Sequence, residues 1–286
     1  MKIGIIGSRG QLGSDLVQVF SNEAVPFDRP VFDVMDSSSW SVLTDNSVDV
    51  LVNTSAYNEV DQAESDIESC FALNTHSPAR LAEFCELNKI IFITISTDYV
   101  FGNPVSDPPI PFSEENETIP LSVYGVSKRS GEILTLNRCK QSYVIRTCGL
   151  FGYASITRAK GSFVETMLRL AHKGNPISVV SDQVVSPTST YELALALKKL
   201  IMISPPFGVY HLTAGGFCTW YDFARKIFAL QGLSVNVKPT TMKEFKAKAR
   251  RSSYTVLSNE KANKYGVFLP SWEEGLSTYL ANRKME

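Results

Sequence analysis

Tyr124 and Lys128 stand four residues apart in Tyr124-Gly125-Val126-Ser127-Lys128, at the start of a stretch that continues with helical character as KRSGEILTL. On a helix this spacing puts both side chains on one face, about 6 Å apart along the axis, where one bound molecule can meet both. Reduction of a ketone builds negative charge on the carbonyl oxygen as hydride reaches the carbon, so a positioned acid must deliver a proton. A phenol with its ordinary pKa of roughly 10 is a poor acid at neutral pH, and a neighbouring ammonium improves it by stabilising the phenolate. The pair therefore predicts Tyr124 as proton donor, with Lys128 as its tuner and as an anchor for a cofactor ribose. Alone, this spacing arises by chance in many helices.

Two further motifs give it context. The run Thr94-Ile95-Ser96-Thr97-Asp98-Tyr99-Val100-Phe101-Gly102 follows the apolar segment Ile90–Ile93. Hydroxyls at the carboxyl end of a strand face the crevice in which α/β sheets bind ligands, so Thr97 or Ser96 is placed to hydrogen-bond a substrate oxygen beside Tyr124. Near the start, Gly7-Ser8-Arg9-Gly10-Gln11-Leu12-Gly13 follows an apolar strand and opens an amphipathic helix. Glycines there permit a tight turn and close approach of the backbone to a pyrophosphate, which the helix N-terminus stabilises. The alternative is an ordinary turn between strand and helix.

Cofactor choice rests on the end of the second strand, where an acidic side chain accepts from a ribose hydroxyl and a basic one pairs a ribose phosphate. Here Phe27-Asp28-Arg29 offers both, and Arg9 adds a second guanidinium. Two arginines outweigh one carboxylate in holding a phosphate, which points to NADPH, with NADH as the alternative.

The elements that must position these residues alternate as short apolar runs and longer amphipathic stretches, the pattern of a doubly wound, Rossmann-like α/β fold with a parallel sheet. Strands are expected at Lys2–Ile6, Glu23–Phe27, Asp49–Asn53, Ile90–Ser96, Tyr143–Arg146, Ile177–Val180 and Val209–Leu212, with helices such as Leu12–Phe20 and Pro78–Glu86 between them. Residues 102–120, rich in Pro, Ser and acidic residues, read as a surface loop near the site. The tail carries a helix at Thr219–Leu230, a basic segment KEFKAKARRSS at 243–253 and a last helix from Trp272, which together suggest a smaller C-terminal substrate lobe. The resulting division is 1–147 and 177–212 for the dinucleotide-binding domain, and 148–176 and 213–286 for the lobe.

Composition excludes several other classes. A formal net charge of -1 provides no basic field for nucleic acid. The apolar run in MKIGIIGSRG is too short for a signal segment or a membrane span, so a cytoplasmic protein is expected. Five scattered cysteines form no Cys-x-x-Cys pair, and His76, His172 and His211 lack metal-ligand spacing, so no metal is expected.

Over nearly its whole length the chain resembles an extended short-chain dehydrogenase, and most of all the dTDP-4-dehydrorhamnose reductase family. The matching stretches are GSRGQLG near the start, NTSAYNEVDQAE at 53–64, STDYVF at 96–101, PLSVYGVSKRSGE at 120–132, VIRT at 144–147, GSFVETMLRLA at 161–171, SDQVVSPT at 181–188 and GVYHLTAGGFCTWYDFA at 208–224. The resemblance implies reduction by NADPH, or NADH, of the C4 keto group of a dTDP-linked 6-deoxyhexulose to dTDP-L-rhamnose, a precursor of cell-wall polysaccharide. It makes Thr97, Tyr124 and Lys128 the catalytic trio, and Ala56, Tyr57, Tyr99, Gln183, Pro187 and Thr188 the lining of the cofactor and sugar crevice. A nucleotide sugar is the expected partner, with a homodimer as a possible assembly.

Departures from the family pattern bear on the sugar. Where the family often shows R-T-S-W, this chain has Arg146-Thr147-Cys148-Gly149, which predicts an opening where an aromatic wall would stand unless Phe151 or Tyr153 swings in. Where the family often has R-P-x-x-S, the chain reads Arg250-Arg251-Ser252-Ser253-Tyr254, and Arg251 is the expected diphosphate partner. Asp15 falls where some relatives bind magnesium, without a convincing full set of ligands. A 4,6-dehydratase would need an acid after Thr97-Asp98, where Tyr99 stands. A reductase of another nucleotide-linked 4-ketosugar, and a non-catalytic relative of the methionine adenosyltransferase regulatory type, are the remaining alternatives.

Overall fold

The computed structural model describes residues 1–104, 106–156 and 161–283. Its centre is a six-stranded sheet built from β1 (Ile3–Ile6), β2 (Ala24–Phe27), β3 (Val50–Asn53), β4 (Ile91–Thr97), β5 (Ser142–Thr147) and a sixth strand, Gly208–His211. All neighbours pair in parallel, in the order Gly208–His211, β5, β4, β3, β1, β2. β1, β3 and β5 are buried along their whole length, as strands covered on both faces must be, which explains why they read as continuous apolar runs. The winding reverses between β1 and β3, and the carboxyl ends of these strands open a crevice at that point.

One face of the sheet is covered by helices Gln11–Phe20 and Thr190–Ile203, whose Leu12, Leu16, Phe20, Leu193, Leu197 and Leu200 share a core with Ile3, Ile5 and Val52. On the other face Leu81, Ala82 and Cys85 of helix Ser77–Asn88 join Phe27, Trp40 and Phe92. The long helix Val123–Arg138 packs beside that helix and against β4 and β5.

One expected sheet strand lies elsewhere. Ile177–Val180 pairs with Val237–Thr240 in a separate two-stranded sheet of the smaller lobe. Its residues alternate between buried and more exposed, whereas β1, β3 and β5 are buried throughout, so it suits a half-covered surface. Around it, helices Phe163–Ala171, Trp220–Leu230 and Trp272–Asn282 enclose a second core containing Phe151, Leu168, Phe223, Ile227, Leu276 and Tyr279.

Among its described residues, segment 102–120 is largely irregular yet tied down: Phe112 stacks on Phe101 with centroids 4.5 Å apart, and its N–H donates to the Val256 carbonyl at 2.8 Å. Five free cysteines are all buried, in keeping with a role as small core residues.

Candidate active site

The glycine run makes a turn that only glycine allows. Gly7 leaves β1 at φ +75°, and its carbonyl accepts from the Gly10 N–H at 2.7 Å. A Cβ on Gly13 would stand 2.1 Å from that carbonyl oxygen, so the first helix could not approach the strand end with any side chain there. The helix N-terminus opens into a cavity of about 790 Å³, lined at this end by Gly7, Arg9, Gly10, Gln11 and Leu12. Gly13 stays outside the lining and serves the packing of the turn.

The same cavity runs past Asp28, Arg29 and Ala56 to Thr97, Tyr124 and Lys128. Three motifs separated along the chain thus share one space of a size suited to a dinucleotide. Two polar atoms of lining residues, Gln11 Oε1 and Thr147 Oγ1, are buried without a hydrogen-bond partner among the described residues, which fits a wall built to meet a polar ligand. Tyr57 does not reach the cavity: its hydroxyl donates to Asp66 at 3.1 Å and its backbone N–H to Asn74 at 2.9 Å. The lining also includes Phe32, Asp33, Val34 and Met35 after β2, a wall that carries no motif and was absent from the sequence expectations.

At the mouth, the Asp28 carboxylate accepts from the Ser8 hydroxyl and lies 3.9 Å from Arg9 Nε. Arg9 is 79% exposed, so this pair contributes little to stability and leaves the guanidinium within reach of a bound anion.

Thr97 ends β4, and the Ser122 hydroxyl caps helix Val123–Arg138 by accepting from Gly125 N–H at 3.2 Å, which sets Tyr124 in the first turn. Tyr99 meets Tyr124 edge to face, with centroids 5.6 Å apart. Burial pushes the Tyr124 phenol well above its ordinary range; a hydrogen bond with Thr97 works against that rise, and the buried Asp98 carboxylate adds to it. Thr97 in turn donates to Asp98 Oδ1 at 3.0 Å. Lys128 Nζ donates to the Ile95 carbonyl at 2.6 Å, and burial lowers it from 10.5 to about 8, opposed by Glu132.

Ser96 is committed elsewhere, donating to Glu132 at 2.5 Å. Glu132 also accepts from Arg146 at 2.9 and 2.8 Å and from Arg129 at 3.0 Å, a buried network beneath Lys128 that locks helix to sheet. Of the two hydroxyls offered by the sequence, Thr97 is the one beside Tyr124.

The residues expected to meet a substrate divide. Tyr99 lines the cavity and also a tight recess, without room for a water molecule, that contains Gln183, Ser122 and Arg250. Arg251, expected to pair a diphosphate, instead makes a forked ion pair with Asp61 at 2.8 and 3.1 Å and a hydrogen bond with Tyr99. Its neighbour Arg250 lines the recess, because successive side chains of this irregular segment point apart. Thr188 is fully buried, donating to the Ser186 carbonyl at 2.9 Å and accepting from Ala214 N–H at 3.0 Å.

The opening expected at Gly149 is not there. A Cβ on Gly149 would lie 3.2 Å from Pro187 Cα and 3.3 Å from Trp220 Cη2, and its φ of +54° disfavours any side chain. Phe151 and Tyr153 do not supply the filling, since both pack against Tyr279 in the second core. Asp15 is buried against the Thr190 hydroxyl, and burial raises it to about 6. Among the described residues no group of three or more His, Cys, Asp or Glu side chains is arranged for a metal, and no helix is long and apolar enough to cross a membrane.

The family model described as RmlD substrate binding domain matches residues 1–285. The chain is 33% identical over 286 residues to the spore coat polysaccharide biosynthesis protein SpsK of Bacillus subtilis (strain 168), covering 99% of this chain and 98% of that one. It is 32% identical to a dTDP-4-dehydrorhamnose reductase of Sinorhizobium fredii, covering 96% of this chain and 95% of the relative. Among solved structures, a dTDP-4-dehydrorhamnose reductase of Bacillus anthracis in complex with NADP superposes with a TM-score of 0.91 at 33% identity, over 98% of this chain and 99% of the other.

Proposed function

The chain belongs to the RmlD substrate binding domain family, and from that premise we propose that it reduces the C4 keto group of a dTDP-linked 6-deoxyhexulose, converting dTDP-4-dehydrorhamnose to dTDP-L-rhamnose with NADPH. The observation that carries the reading is the convergence of Thr97, Tyr124 and Lys128 with the glycine turn in one cavity. Bound NADPH supplies the hydride. The protein's own work is to hold the keto carbon in reach and to manage the charge that appears on its oxygen.

Tyr124 donates its proton to that oxygen, and the Thr97 hydroxyl holds the oxygen in place beside it. Burial by itself makes the phenol a weaker acid, so its proton is given up only when a positive charge is brought up to stabilise the phenolate. Lys128, released from the Ile95 carbonyl, holds the ribose and brings a positive charge toward the phenolate. Arg9 and Arg29 take the ribose phosphate, and Arg250 takes the sugar-nucleotide diphosphate. The test is NADPH oxidation on addition of the dTDP-4-keto-6-deoxyhexulose, with dTDP-L-rhamnose identified as product. Absence of oxidation with that ketosugar would overturn the assignment.

A further inference from the structure

Asp98 follows Thr97 directly and lines the same cavity, yet its carboxyl is buried. The groups bonded to it are neutral: Oδ1 lies 3.0 Å from Thr97 Oγ1, Oδ2 lies 3.1 Å from Cys148 Sγ, and the Thr255 hydroxyl approaches from the C-terminal lobe. Burial holds the Cys148 thiol far above its ordinary range, so it stays an S–H donor. The titratable neighbours on other elements, the Tyr99 and Tyr124 phenols, are likewise kept protonated by burial, and the Arg251 guanidinium bonds to Tyr99. A carboxylate in this place exchanges water for neutral donors, and burial pushes Asp98 above the usual carboxylate range.

We propose that Asp98 is a positioning residue that works as a neutral carboxyl, donating a hydrogen bond to Thr97 and thereby turning the Thr97 hydroxyl proton toward the keto oxygen. The inference rests on the ketone-reductase reading and adds to it the group that sets the direction of the Thr97 donor. A hydroxyl has one proton and two lone pairs. One lone pair of Thr97 is already taken by the Tyr99 N–H at 3.2 Å, in the cap of the short turn Asp98–Val100. When Asp98 is ionised, the Thr97 proton points to Oδ1 and the second lone pair is open to the Tyr124 proton, so both donors are turned away from a substrate. When Asp98 is protonated, the same 3.0 Å bond runs the other way and fills that lone pair. The Thr97 proton and the Tyr124 proton are then both left for the oxygen on which charge develops. Asp98 keeps its proton throughout; the proton transferred is that of Tyr124.

The experiment combines kinetics with a direct view of the carboxyl. For the full chain as wild type, Asp98→Ala and Asp98→Asn, kcat and KM are measured with the ketosugar and NADPH affinity by titration; infrared difference spectra compare wild type with Asp98→Asn at neutral pH. Asp98→Ala is expected to lower kcat by about 100-fold, the effect of misdirecting one oxyanion donor, with KM and NADPH affinity within about twofold of wild type. Asp98→Asn sets an amide N–H where the carboxyl O–H stood and an amide oxygen opposite Cys148, and should recover all but about fivefold of that loss. The wild type should show the carbonyl stretch of a protonated carboxylic acid that the asparagine variant lacks. If the alanine variant does not fold, the isosteric asparagine variant and the infrared band decide. A missing band, an asparagine variant as slow as the alanine one, or an alanine variant with unchanged kcat would overturn the role of Asp98. The band needs no turnover: a wild type that shows it but never oxidises NADPH would overturn the reductase reading alone, and one that turns over without it would overturn the role of Asp98 alone.

Discussion

The two ends of the cleft are built on opposite plans. At the cofactor end seven consecutive residues, Gly7 to Gly13, form a turn whose shape is dictated by backbone contacts, down to the 2.1 Å that a Gly13 Cβ would leave to the Gly7 carbonyl. At the proposed sugar end Tyr99, Gln183 and Arg250 arrive from three separate segments, and the surface they make is a surface of side chains. A backbone-made site resists change, since almost any substitution breaks the turn. A side-chain-made site can be altered one residue at a time while the sheet and the glycine turn stay intact, so substrate choice can vary on a constant reductive chemistry.

The sharpest separation of chemistry from binding is expected from Tyr124→Phe, which should lower kcat by about 100- to 10,000-fold and leave the affinities of both ends near wild type. Unchanged turnover would remove Tyr124 from the role of acid.

Lys128 links the two ends and produces the next largest effect. Because burial lowers it from 10.5 to about 8, the folded chain binds fewer protons than the unfolded one between those values, and its contribution to stability rises with pH through that window. Below about pH 8 the buried ammonium costs the ligand-free chain roughly 3 kcal/mol. Lys128→Met should therefore raise Tm at pH 7 and erase the alkaline gain, while turnover and NADPH binding both fall. A variant that melts below wild type at pH 7 would show that the bond to the Ile95 carbonyl outweighs desolvation.

At the cofactor end, Arg9→Ala combined with Arg29→Ala should cut the preference for NADPH over NADH by about 10- to 100-fold, leaving Asp28 to read the ribose. Wild-type preference for NADH at matched ionic strength would assign that reading to Asp28 from the outset.

The smallest contrast lies between adjacent arginines at the sugar end. Arg250→Ala should weaken dTDP by about tenfold with Tm unchanged. Arg251→Ala should act on stability, by about 1 kcal/mol or less, because its Asp61 partner is 46% exposed and water screens the pair. The reverse pattern in parallel melts and dTDP titrations would return the diphosphate to Arg251.

The same contrast explains what could be read from the chain. β1, β3, β4 and β5 lie within a residue or so of where apolar runs put them, and the glycine turn, Thr97 and the Tyr124–Lys128 spacing were legible because each motif is local. Ile177–Val180 carries the same residue types as a sheet strand, and only its exposure reveals a different sheet. Arg250 and Arg251 are indistinguishable by type, and the direction of a side chain in an irregular segment is a tertiary fact. Trp220 stood in plain sight within GVYHLTAGGFCTWYDFA, but its ring reaches Gly149 across the fold, and no periodicity joins residues so far apart.

The pairing of the first helix with Thr190–Ile203 governs how the chain can be made. Leu12, Leu16 and Phe20 share their core with Leu193, Leu197 and Leu200, and the edge of β5 is covered only by Gly208–His211. A ribosome that has released residues 1–147 has produced five parallel strands with one apolar face covered by the first helix alone and the β5 edge unpaired. Vectorial synthesis thus leaves the nucleotide-binding half waiting on residues encoded much later, and until they emerge the nascent protein presents the kind of surface that chaperones hold.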